Sequence, residues 1–239
     1  MKTIPSADSA KEVLLFDYLS IPDAPVDSLS EASVSFLDDQ VRPICREQYD
    51  GSREDYAATH PLFGCVAGFV SAKLRITGKQ AHFADVVVGC FDEYAIVETV
   101  NDVFSRTTSV SVTFHPGGSP FDFLTFRAMV HGTQLNYHPG VMLGRHLNIA
   151  DAVSPRIGRG TPPLSVVVER LGLGHARKAM DLQALMSAAR ADDRVEVANE
   201  LLQRVSEIGS VYARLFLTPE IEVISMGFDG SILRLIGEE

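Results

Sequence analysis

Long apolar runs are missing from this 239-residue chain. No stretch approaches the roughly 20 residues that a bilayer-spanning helix needs, so no helical membrane span is expected. Cysteine is scarce. Cys45, Cys65 and Cys90 are an odd number without C-x-x-C spacing, which argues against a disulfide framework or a zinc site and for reduced thiols in a cytoplasm. The opening Met1-Lys2-Thr3-Ile4-Pro5 has no signal-peptide core, in keeping with that location. Positive charge is also short. With 21 Lys and Arg against 31 Asp and Glu, the net charge of −10 disfavours loose electrostatic attachment to nucleic acid or anionic lipid. A nuclease stays compatible, because metal-binding carboxylates and acidic surfaces away from a groove are themselves acidic.

What is present suits one α/β domain around one core, with 46% apolar and 22% charged residues. Residues 1–10 are polar and expected to be flexible, 11–218 to form the domain, and 219–239 to add a C-terminal β-hairpin. The hairpin is read from Ile221–Phe228 and Ser231–Ile236 around Asp229-Gly230, a strong two-residue turn signal. Its apolar strands need cover, either on the sheet edge or in a contact with a protein partner or a second copy.

Within the domain, Val13-Leu14-Leu15-Phe16-Asp17 reads as a buried central strand that carries a carboxylate to its end, closing at Ile21-Pro22. Asp17 is either a polar strand end in solvent or part of a site. Leu62–Ile76 and His82–Val88 read as a strand pair joined at Thr77-Gly78-Lys79-Gln80, with Gly64 and Gly68 marking a bulge or close backbone contact. Weak apolar periodicity gives a helix near Ser30–Arg46. Asp92–Arg106 repeats at helical spacing behind a capping Asp92, and Ser109–His115 alternates as a strand. Ser119-Pro120-Phe121-Asp122 then has the form of a capping box opening a helix. A further helix follows Thr161-Pro162-Pro163, ended by Gly172 and Gly174. The longest helix, Arg194–Leu217, carries an unbroken apolar stripe from Ala198 to Phe216.

These strings carry a resemblance. Phe16-Asp17-x-x-x-Ile21-Pro22-Asp23 resembles the first motif of the DNA polymerase B-like 3′–5′ exonucleases, a ribonuclease H-like family of DEDD nucleases, where the strand reads Phe-Asp-Ile-Glu-Thr-Ile-Pro-Asp. Phe121-Asp122, Leu124, Arg127-Ala128 and His131-Gly132 resemble the second motif, with His115 where that family has Asn. Arg145-His146-Leu147-Asn148-Ile149-Ala150-Asp151 is similar to a third stretch, and Met180-Asp181 to a fourth, whose following glycine is Leu182 here. His146 is read as structural, having no Cys or His partner at ligand spacing.

The resemblance implies a ribonuclease H-like mixed sheet flanked by helices, and a two-cation site in which Mg²⁺ or Mn²⁺ ions about 4 Å apart stabilise the displacement at phosphorus. The implied catalytic and metal-holding residues are Asp17, Asp122 and Glu207. Leu19 stands at a lost carboxylate position and Gln203 at that of a water-positioning tyrosine, with Tyr212 matching a later tyrosine. Side chains 17 and 19 share one face of a strand, so Leu19 is expected to put an isobutyl group where a ligand belongs. Asp85 is the one nearby acid offered as a substitute. The expectation is therefore a catalytically degenerate exonuclease-like protein kept for nucleic-acid or protein binding, with any cation weakly held or absent. The alternatives are an active metal-dependent enzyme with a rearranged site and a scaffold without nucleic-acid contact. From Arg145 to Lys178, six basic residues face only Asp151 and Glu169. Arg145, Arg156 and Arg159 are accordingly the candidates for a single-stranded nucleic-acid track, solvated scattered charge being the other account.

Overall fold

The computed structural model describes residues 12–45, 53–77, 80–115, 119–154, 161–174, 177–217, 222–223 and 233–236. Its centre is strand β1, Glu12–Pro22, in which Val13 to Leu19 are all buried. Strands β2 (Gly64–Thr77) and β3 (Gln80–Cys90) follow as an antiparallel pair, and β2 runs antiparallel to β1. On the other side β4 (Val110–Thr113) and β5 (His146–Asn148) continue the sheet in parallel, giving the order β5-β4-β1-β2-β3. The fold is α/β with a mixed sheet flanked by helices.

The unbroken apolar run of β1 is explained by cover on both faces. Val13, Leu15 and Leu19 join one core layer, with Leu201, Leu202, Val205 and Ile208 of helix α9 (Arg194–Phe216). Leu14, Phe16 and Tyr18 point the other way, into a layer with α3 (Glu93–Arg106) and α4 (Pro120–Val130). A central strand with helices on both sides has no solvent face and so no polar alternation. Asp17 belongs by its position to the α9 face. A small third cluster, Val26, Leu37 and Ala57, lies under α1 (Glu31–Cys45) and α2 (Arg53–Thr59).

Close approach explains two glycines. A Cβ at Gly68 would stand 2.8 Å from Leu201 Cδ1, and one at Gly209 would stand 2.8 Å from the Phe83 ring. The bulge expected in β2 is also present, since the register slips between Leu19/Gly68 and Ser20/Val66. Helix α4 ends at His131-Gly132 and α7 (Leu164–Arg170) at Leu171-Gly172. In both, the glycine has positive φ and the residue after it donates back to the carbonyl five residues earlier, a Schellman closure.

Several expectations need correction. Two strand pieces lie in the C-terminal region, β6 (Glu222–Val223) and β7 (Leu233–Ile236), and both run parallel to β3. Strands sharing one direction cannot form the antiparallel hairpin, and they extend the β3 edge instead; the Asp229-Gly230 turn itself lies outside the described residues. Ser119 makes no side-chain cap, and the Asp122 N–H bonds the Ser119 carbonyl, so the capping box is not formed. Asp181 caps α8 (Leu182–Ala191), accepting from Ala184 N–H at 2.9 Å. The remaining short helices are α5 (Pro139–Gly144) and α6 (Ile149–Val153). Among the described residues no helix is long and apolar enough to cross a membrane.

Candidate functional site: three buried carboxylates and two arginines

Asp17 is fully buried, yet both of its oxygens are used. Oδ1 accepts from the Tyr18 N–H at 2.9 Å, and Oδ2 accepts from Arg204 Nε at 2.6 Å. Arg204 comes from the sheet-facing flank of α9 and its side chain is 23% exposed. Burial alone would lower its pKa, but the Asp17 charge and hydrogen bond outweigh that and hold it above the ordinary arginine value.

A second pair lies along the same helix flank. Glu200 and Glu207, two turns apart, are both buried and both hold Arg177. Arg177 Nη1 donates to Glu200 Oε2 at 2.6 Å, Nη2 to Glu200 Oε1 at 3.3 Å, and Nε to Glu207 Oε1 at 2.7 Å. Gln203 Nε2 donates to the same Glu207 oxygen at 3.1 Å. Arg177 is also raised above its usual pKa, the bonds to Glu200 and Glu207 overcoming the cost of burial. Three carboxylates and two guanidiniums thus form one cluster, with Glu200 contributing to the environment of Arg204 as well.

Asp17 and Glu207 therefore share a layer, as expected, and arginines engage both. Asp122 does not join them: it is exposed in the first turn of α4. Leu19 is 8% exposed and packs in the α9-side core, so an apolar group does fill that position. Gln203 is exposed and serves Glu207, and Tyr212 is buried with its ring stacked on Phe216. Asp85 is corrected as a substitute ligand. It is about half exposed, sits in a left-handed conformation beside a register shift in β3, and pairs with Arg75 and Lys73. Arg145 is exposed and donates to the Thr108 carbonyl at 3.4 Å, while Arg156 and Arg159 lie outside the described residues. The basic excess around them shrinks, because Arg177 is spent internally.

These donors do not fit a pair of divalent cations. Hard cations take several oxygens each, and here the Asp17 oxygens and the Glu207 Oε1 already hold N–H groups. Among the described residues no three His, Cys, Asp or Glu side chains are grouped to hold a metal ion.

Beside Asp17, Tyr18 Oη lies 3.2 Å from His115 Nε2 and the two rings stack at 5.1 Å. Burial, and then the Asp17 charge, push the Tyr18 phenol up. Burial also lowers the His115 pKa, with Asp17 opposing and Arg204 assisting. Asn148 fixes the His115 backbone from both sides, accepting from its N–H at 3.0 Å and donating to its carbonyl at 2.8 Å. His146 Nδ1 lies 3.0 Å from Ser111 Oγ, and its ring packs on Phe16 and Phe121. A second buried cluster ties α3 to α4. Glu93 accepts from Arg127 and from the Val66 N–H, and His131 Nε2 lies 2.7 Å from its Oε2; these contacts override burial to lower its pKa.

Sequence reasoning missed Arg204, Arg177 and Glu200. The available signal was their number: a helix flank carrying two acids and an arginine toward an apolar sheet needs internal pairing. No protein-family model matches the chain, and no curated protein matches it.

Proposed function

We propose that the chain is a catalytically degenerate 3′–5′ exonuclease-like protein of ribonuclease H-like fold, retained for binding. The fold part of this reading is supported by the strand order β5-β4-β1-β2-β3, with β2 alone antiparallel to its neighbours in that core, and by α9 crossing the face of β1 that carries Asp17. The observation that carries the functional part is the occupation of Asp17 and Glu207 by Arg204 and Arg177. A carboxylate held by a guanidinium at 2.6 Å is a poor ligand for a cation that must clamp a reacting phosphate, and losing one clamp removes several kcal/mol of transition-state stabilisation, on the order of a thousandfold in rate. Net charge −10 and the internal use of Arg177 favour a protein partner over a strong nucleic-acid one.

The test is a 3′-labelled oligonucleotide incubated with the protein in Mg²⁺ and in Mn²⁺. No nucleotide release is expected. Processive degradation that Asp17→Ala abolishes would overturn the proposal in favour of an active enzyme. Fluorescence anisotropy at low salt with single-stranded DNA and RNA separates the two binding roles, because phosphate contacts weaken steeply as salt rises. Salt-sensitive binding assigns nucleic acid; its absence leaves the protein partner.

A further inference from the structure

Resting on that reading, we propose that Arg177 and Arg204 act as resident counter-ions, and that the carboxylate cluster is a permanent ionic brace which makes this fold indifferent to divalent cations. Asp17, Glu200 and Glu207 are 0%, 8% and 6% exposed, so each needs a positive partner inside the protein. The two arginines supply it from different parts of the chain. Arg204 links α9 to the centre of β1, across 187 residues of sequence. Arg177 comes from a stretch without regular secondary structure just ahead of α8, and its bonds lay it across Glu200 and Glu207. The brace thus joins the sheet, the long helix and the approach to α8.

The geometry distinguishes a brace from a surface ion pair. Arg177 spans two carboxylates with its Nε and both Nη groups, and Gln203 occupies a further contact with Glu207. An exposed pair is worth little, whereas removing one partner of a buried pair leaves an uncompensated charge. A mobile ion would have to be bound again after each opening; a guanidinium carried by the chain itself does not leave.

The experiment is thermal unfolding of the full chain in EDTA, Mg²⁺ and Mn²⁺, for the wild type, Arg204→Met and Asp17→Asn/Arg204→Met. The wild-type melting temperature should be the same in all three buffers. Arg204→Met should lower it by about 10 °C, and the double variant, which removes both charges, should recover at least half of that loss. If Arg204→Met does not fold, recovery of a folded protein in the double variant carries the same conclusion. A melting temperature raised by either cation in the wild type overturns the brace, as does a double variant no better than the single one. A nuclease-negative protein with a cation-raised melting temperature would sink the brace alone; nuclease activity would sink the reading on which it rests.

Discussion

Acidification should destabilise this protein through His146, and the structure sets the size of the effect. The imidazole is half-buried between Phe16 and Phe121, its ring centroid 5.0 Å from that of Phe121, and desolvation lowers its pKa from 6.5 to about 4, the Ser111 contact opposing. In the unfolded chain the same ring takes its proton near pH 6.5. Between those values the unfolded state binds more protons than the native one, so stability falls as the pH falls. The loss begins near pH 6.5, is about 2 kcal/mol at pH 5, and levels off below about pH 4 at roughly 3 kcal/mol. His115, lowered in the same direction, adds to it. The assay is urea unfolding at a series of pH values for the wild type and for His146→Phe/Ser111→Ala, which removes the ring and its hydroxyl partner together. The variant should lose most of the pH dependence above pH 5 and keep the His115 part. An NMR titration placing the His146 pKa at 6 or above, or a variant as acid-sensitive as the wild type, would refute the reasoning.

Other substitutions test other parts of the molecule. Arg127→Met leaves the half-buried Glu93 without its bidentate partner and should cost about 2–3 kcal/mol by urea unfolding, with Glu93→Gln/Arg127→Met regaining part of it; a single variant within the error of wild type would show the pair to be idle. Asn148→Ala removes the two bonds that hold the His115 backbone and should cost about 1–2 kcal/mol, with faster amide exchange at His115 as its specific sign. Leu19→Glu puts a carboxylate into the α9-side core and should destabilise by about 3 kcal/mol or more near neutral pH, lessening in acid as the new group protonates. An unchanged unfolding midpoint for that variant would mean that the position opens to water.

Local chemistry made much of the fold legible. The apolar run of β1, the paired period of β2 and β3, the capping Asp92 and the stripe of α9 each depend on neighbours a few residues away, and each stands where expected. The C-terminal strands failed for a non-local reason. Asp229-Gly230 signals a tight turn, but the pairing of Glu222–Val223 and Leu233–Ile236 is decided by the free edge of β3, far back in the sequence. Asp122 shows a different limit: one residue type serves a helix start and a ligand set alike, and exposure separates the two. The brace was illegible for a third reason. Arg177 and Glu207 are 30 residues apart and Arg204 and Asp17 are 187 apart, and ion pairing leaves no periodicity to read.

That separation has a consequence for how the protein is made. A ribosome adds Asp17 while Arg204 is still 187 codons away, roughly ten to forty seconds of synthesis at ordinary rates. Until then Asp17 has no guanidinium to hold it, and the apolar strand around it has no α9 to cover one of its faces. The β2–β3 hairpin is formed from adjacent sequence and can give β1 an antiparallel neighbour well before the chain is complete. In the nascent protein that partial sheet has one bare face, and arrival of α9 both covers the face and brings Asp17 its counter-charge.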